Sequence, residues 1–330
     1  MNVVQRPRAR EFCTTMQDYI IDSDVTITFA VKYGGKLILE EEYVPDGDNL
    51  IHIRKLGQFC ELALWGIWCA GDVSWQPDAA GTFTFLINNV EDTHSFVMFS
   101  RMQTKKDATT PGWLSEVNRK ITRMGCKEYV SIVMEAGTEV IVTGTSTNSQ
   151  TAKVQLLSAG ADVVASTVTI DASLGKIEKM FAFDLERYEI SYKNFVYEFI
   201  VDNSKYAIIR CFRFKNVYDM PETVSVVGGL SVSGGNESDT AAMYGIERKF
   251  GVKVNDEYTA NSGVIMLQSD YKLWHNFLNA QEADILNDRE WLPIVVTKQK
   301  YEREYLRSIL KTVEFSFRLA DPEQNNLIEV

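Results

Sequence analysis

Two-residue alternation of apolar and polar side chains dominates the chain, and it predicts strands from one end to the other. Val25, Ile27, Phe29 and Val31 alternate with Thr26, Thr28 and Ala30, and Leu37 and Leu39 resume the pattern beyond Gly34-Gly35. Two alternating runs across a Gly-Gly pair read as a β-hairpin, because a primed turn requires positive φ at both central residues. A short strand at Leu50 to Ile53 is followed by Leu56, Phe59, Cys60, Leu62, Ala63 and Trp65 at helical spacing, ending near Gly66. That spacing predicts one helix with an apolar face, and Trp65 is expected in the core. Thr82 to Ile87 and His94 to Ser100 read as a second strand pair across Asn88-Asn89, and residues 101 to 113 as an exposed loop.

Strands remain short and regular further on. Tyr129 to Met134 with Val140 to Thr143 reads as one hairpin, and Val154 to Leu157 with Val163 to Ile170 as another, with Ile177 to Phe183 as an edge. Strands at this spacing predict a small β-sandwich or meander. A third set begins with Phe195, Tyr197, Phe199 and Val201 and returns from Tyr206 to Phe214, with a further strand from Thr223 to Leu230. Ser231 to Asp239 reads as a polar loop, and two strands are expected between Tyr244 and Val254. Ser269 is placed to cap a helix bearing Leu273, Trp274, Phe277 and Leu278. Ile285 to Asn287, Leu292 to Thr297 and Val313 to Leu319 complete the strands, while Tyr301 to Leu310 suits a helical turn or a hairpin arm. The expected fold is mainly β with a few helices, a multi-domain arrangement of β-sandwich-like modules spanning 1–125, 126–193 and 194–330.

Composition narrows the function classes. The 330 residues carry 34 basic and 45 acidic side chains, a formal charge of −11, and 45% are hydrophobic. An acidic chain is repelled by phosphate backbones, which argues against nucleic acid. No window approaches the ~18 uninterrupted apolar residues of a membrane helix. Arg6, Arg8 and Arg10 are followed by no apolar core of a signal peptide, so synthesis in a bacterial cytoplasm without Sec secretion is expected. Cys13, Cys60, Cys69, Cys126 and Cys211 are odd in number and scattered, which suits buried thiols better than a disulfide framework.

Motifs that carry chemistry are not completed. His52, His94 and His275 lack a second ligand at metal-binding spacing. Asp46-Gly47-Asp48-Asn49 begins like a calcium loop, but Ile51 and Gly57 stand where that loop needs glycine and glutamate, so it reads as a turn. Gly229-Leu230-Ser231-Val232-Ser233 ends without the glycine of a nucleophile elbow. The run Glu40 to Glu42 suits a protected strand edge better than a pair of glycosidase carboxylates. No catalytic, cofactor-binding or metal-ligating residue is assigned, and a non-enzymatic protein is expected. Among the tryptophans, Trp75 and Trp113 lie beside turn signals and are the candidate interface residues.

The runs Gly34-Gly35-Lys36, Leu39 to Asp46 and Ile53 to Gly57, with Phe212 to Asn216, Met220 to Thr223 and Phe315 to Ala320, resemble a family of uncharacterised proteins. Those proteins are encoded by gut Bacteroidetes, often in prophage-like or mobile regions beside tail genes. The resemblance implies a structural subunit of a phage-tail or baseplate assembly, a homo-oligomer acting through protein–protein interfaces and incorporated into a virion or tail-like particle. Family members often carry glycine just before the proline turn, where this chain has Tyr218-Asp219. The alternative reading is a surface adhesin or carbohydrate-binding β module that takes a glycan.

Overall fold

The computed structural model describes residues 1–161, 165–254, 256–267, 269–300 and 312–321. It is a multi-domain β-rich fold of several sheets with three short α-helices among the described residues. No helix among them is long and apolar enough to cross a membrane.

The first body is a five-stranded sheet ordered Arg10–Phe12, Val90–Met98, Ala80–Ile87, Ile27–Tyr33 and Lys36–Tyr43. Gly34 and Gly35 turn the hairpin at φ 55° and 77°, and Asn88 and Asn89 turn the second at 50° and 63°. A three-stranded sheet, Asn2–Gln5, Tyr19–Asp22 and Leu50–Ile53, packs against it through Tyr19, Phe29 and Phe85. The strand Lys36–Tyr43 is an open edge, and its Glu40, Glu41 and Glu42 face solvent. Charge on an exposed edge opposes uncontrolled strand pairing. The helix Leu56–Leu62 buries Leu56 and Cys60 beneath this sheet pair. Trp65 is a correction: it lies beyond the helix end and is half exposed.

The middle strands overlap the expected ones, except that 163–164 of the expected Val163 to Ile170 lie outside the described residues, but their partners differ. Tyr129–Met134 pairs with Ser166–Asp171, which pairs in turn with Val73–Gln76. Glu139–Thr145 belongs to another sheet, between Thr151–Ser158 and Arg187–Tyr192. The two expected hairpins are therefore corrected to crossings between sheets. Both sheets contribute to a single core, with Ile132, Met134 and Val168 from one and Val142, Tyr188 and Phe199 from the other. Residues 174–180 form a helical turn and a 3-10 turn in place of the expected edge strand.

Strand pairing spans both expected module boundaries. Val73–Gln76 joins Ser166–Asp171 across residue 125, and Phe195–Val201 joins Arg187–Tyr192 across residue 193. Phe195–Val201 also receives Arg119–Thr122 in parallel.

The last body is a seven-stranded antiparallel sheet ordered Pro221–Val226, Arg210–Lys215, Ala283–Asn287, Glu290–Lys300, Glu314–Leu319, Glu257–Asn261 and Leu230–Ser233. The return strand expected from Tyr206 begins only at Arg210 and pairs within this sheet. Helix Asp270–Leu278 covers it, setting Phe277 against Phe212, Phe214 and Phe315 at 5.1–5.6 Å between ring centroids. Burying such an aromatic stabilises a core by about 3 kcal/mol or more. The segment expected as a loop, Ser231 to Asp239, overlaps strands Leu230–Ser233 and Asn236–Met243, and the two strands expected between Tyr244 and Val254 are one, Ile246–Val254. Tyr301 to Leu310 lies outside the described residues.

Candidate functional site

The first and last bodies meet along a polar seam over a small apolar cluster of Phe12, Ala80, Met98, Leu114, Val133, Tyr218 and Met220. The turn Asn216–Met220 organises it. Asn216 Oδ1 accepts from the N–H groups of Tyr218 and Met220, at 2.9 and 3.2 Å. Asp219 is left at φ 57°, the region that ordinarily favours glycine. Its carboxylate accepts from Gly66 N–H at 2.7 Å and faces Arg101 and Lys215 at 3.7 and 3.9 Å. Gly66 has no room for a side chain, since a Cβ there would sit 2.0 Å from Asp219 O. Beside the seam, Arg213 lies between the rings of Trp68 and Trp291, 4.2 and 4.5 Å from their centroids, and its Nε donates to Asp284 at 2.6 Å.

Beneath the seam lies a buried polar layer. Lys120 pairs with Glu128, and both are shut off from solvent. Lys120 Nζ also donates to Thr223 O at 2.7 Å, and Thr223 Oγ1 donates to Glu128 at 2.7 Å. Glu222 accepts from Ser115 and from Asn216 Nδ2, yet burial raises its pKa above the ordinary carboxylate range. Asp270 opens helix Asp270–Leu278, and burial pushes its pKa up to about 7 against the attraction of Lys120 and Arg123.

A cleft of about 870 Å³ opens above this layer, between the 101–118 segment and helix Asp270–Leu278. A second cavity of about 680 Å³ shares Lys106, Ser115 and Glu116 with it. Residues 101 to 113 of this region are the stretch expected as an exposed loop. The run of Lys105 and Lys106 was the available signal, but only the fold sets it opposite Lys272 and His275.

The surface that stands out most lies elsewhere. Leu230–Ser233 pairs with Glu257–Asn261, ending at Ser233↔Glu257, and the same register resumes at Asn236↔Val254. Asn236–Met243 and Ile246–Val254 form a separate two-stranded ribbon in that register, with its turn at Tyr244 and Gly245, φ 55° and 77°. At the rise of an extended strand, this arm is about 30 Å long. Residues 237–251 are exposed apart from the half-buried Ser238. Opposed residues share a face, so Met243↔Ile246, Ala241↔Arg248 and Asp239↔Phe250 line one side. Met243, Ile246 and Phe250 are each more than half exposed, and Tyr244 at the tip is 94% exposed. Glu247↔Ala242 and Lys249↔Thr240 form the polar side.

The residues singled out from the sequence are not brought together. Trp75 is partly exposed, in the strand Val73–Gln76. Trp113 is a correction: it is 4% exposed, bridges Ile132 and meets Tyr197 edge to face at 6.2 Å. It is a core residue, not an interface residue. His52 approaches Asp46 at 3.8 Å, His94 pairs with Glu91 at 2.5 Å, and His275 lines the cleft. Asp46 Oδ1 accepts from Asp48 and Leu50 N–H, so the acidic stretch forms an Asx turn. No group of three His, Cys, Asp or Glu suited to a metal ion occurs among the described residues. No protein-family model matches the chain, and no curated protein matches it in sequence.

Proposed function

We propose that this protein is a structural subunit whose ribbon arm docks onto a second copy of the chain, building a homo-oligomeric assembly. The exposed apolar face of the arm carries this reading. A two-stranded ribbon is marginally stable alone in water, and one that presents Met243, Tyr244, Ile246 and Phe250 to solvent gains by being covered. The outer half of the arm carries Arg248 and Lys249 against Glu247, whereas the whole chain is at −11. The open edge Lys36–Tyr43, with Glu40, Glu41 and Glu42 exposed, offers a complementary strand in another copy. Arm-to-edge contacts of this head-to-tail kind close into rings or extend into tubes, which suits the tail- or baseplate-like assembly that the sequence resemblance suggests.

The test uses the native thiols to advantage, because all five cysteines are buried and free. A Tyr244→Cys, Glu41→Cys double variant is expected to form cross-linked dimers and higher species under mild oxidation, while either single variant does not form the ladder. A double variant that stays monomeric on denaturing gels would remove the arm-to-edge reading.

Exposed Trp75 favours a second reading, a glycan-binding surface, since an accessible indole stacks on sugar rings. That reading expects a glycan-array signal lost in Trp75→Ala.

A further inference from the structure

The cleft between the 101–118 segment and helix Asp270–Leu278 has the size of a small-molecule pocket. Its charged lining is unbalanced: Lys105, Lys106 and Lys272 stand against the single carboxylate of Glu116. Glu116 is already matched within the protein. Tyr218 OH donates to it at 2.5 Å and Lys272 Nζ donates to its other oxygen. Burial opposes its ionisation, but these two bonds prevail and hold its pKa below the ordinary value.

Lys106 is less closely matched. Its Nζ rests 5.9 Å from the Tyr218 ring centroid, burial lowers its pKa against the attraction of Glu116 and Glu222, and no described carboxylate lies within ion-pair distance of it. Asn276, also on the wall, has its amide nitrogen buried without a hydrogen-bond partner. A half-buried cation, a second cation at the rim and an unused amide donor give the cleft donors that its own acceptors leave unmatched. Met102 and Tyr271 add apolar wall.

We propose that this cleft binds a small organic anion, its carboxylate or phosphate group held by Lys105 and Lys106 and its remainder lying along Met102 and Tyr271. An anion there supplies the acceptor that Lys106 lacks and offsets the cost of holding its charge away from water.

Isothermal titration calorimetry of the full chain at pH 7 and low ionic strength tests this, with citrate and phenyl phosphate as separate probes. Saturable one-to-one binding of at least one probe is expected, and the preferred probe tells whether the group is carboxylate or phosphate. Lys105→Ala, an exposed position whose loss leaves the thermal midpoint unchanged, is expected to weaken binding about tenfold, the scale of one charged hydrogen bond. Lys106→Met is expected to weaken it at least as much, and Lys36→Ala, on the remote edge strand, not at all. Absence of saturable binding by both probes overturns the proposal. So does equal weakening by Lys36→Ala, which marks general charge screening, or binding that survives both cleft variants.

Discussion

The backbone N–H of Gly66 donates to Asp219 Oδ2 at 2.7 Å, tying together two residues 153 positions apart in the chain. The same carboxylate faces Arg101 and Lys215, and Lys215 Nζ returns a hydrogen bond to Gly66 O at 2.5 Å. The seam between the first and last bodies thus turns on one side chain held at positive φ.

Asp219→Ala is expected to destabilise the fold by about 3 kcal/mol, because it removes the carboxylate facing the buried Lys215 ammonium and leaves Gly66 N–H unpaired. Asp219→Asn keeps an acceptor and tolerates the left-handed backbone, so it costs about half as much. Urea unfolding followed by tryptophan fluorescence measures both, and an Ala variant as stable as the parent contradicts the assignment.

The Lys120–Glu128 pair gives a second expectation. Lys120→Met alone leaves Glu128 charged and buried, which costs about 3 kcal/mol, whereas Lys120→Met with Glu128→Leu recovers most of the loss. A double variant no more stable than the single one, in the same urea experiment, would falsify this account of the layer.

Asp270 sets a pH dependence. Its pKa is pushed up to about 7 in the folded chain from an ordinary value of 3.8. Folding therefore favours the protonated acid. The contribution is fully present below pH 4 and is lost as pH rises toward about 7, after which it stays lost. Asp270→Asn is expected to match the parent near pH 4 and to exceed it at pH 8 by an amount on the order of a few kcal/mol. Equal urea midpoints at pH 8 would show that the carboxylate is solvated.

The thiols give a simple check of packing. Burial pushes the Cys13 pKa up to about 12 and raises that of Cys60 further still, and all five cysteines are buried. Ellman's reagent is expected to react with none of them within minutes in native buffer and with five in denaturant. Fast native reaction of even one thiol contradicts the described core.

The strands were legible in the sequence because alternation and turn chemistry are local. Gly34-Gly35 and Asn88-Asn89 supply the positive φ their hairpins need. Pairing is not local. Tyr129–Met134 is buried at every residue, so its two covered faces gave no sign of which strand lies beside it. Trp113 shows the same limit, since Pro111-Gly112 marks a bend but not the core that the bend delivers its neighbour to. Only the first strand of the arm was missed, for the converse reason: Ser231 to Asp239 is polar and small, and its strand character comes from cross-strand bonds to residues up to Ala260. Of the cleft, only its two adjacent lysines were visible, because Lys272 reaches it from a helix more than 150 residues away.

Sedimentation velocity of the intact chain over a hundredfold concentration range tests the central claim most directly. The parent is expected to shift to larger species as concentration rises, and a Tyr244→Ser, Ile246→Ser, Phe250→Ser variant to stay monomeric with an unchanged unfolding midpoint. A parent that sediments as a monomer throughout, or a variant that assembles as the parent does, contradicts the account.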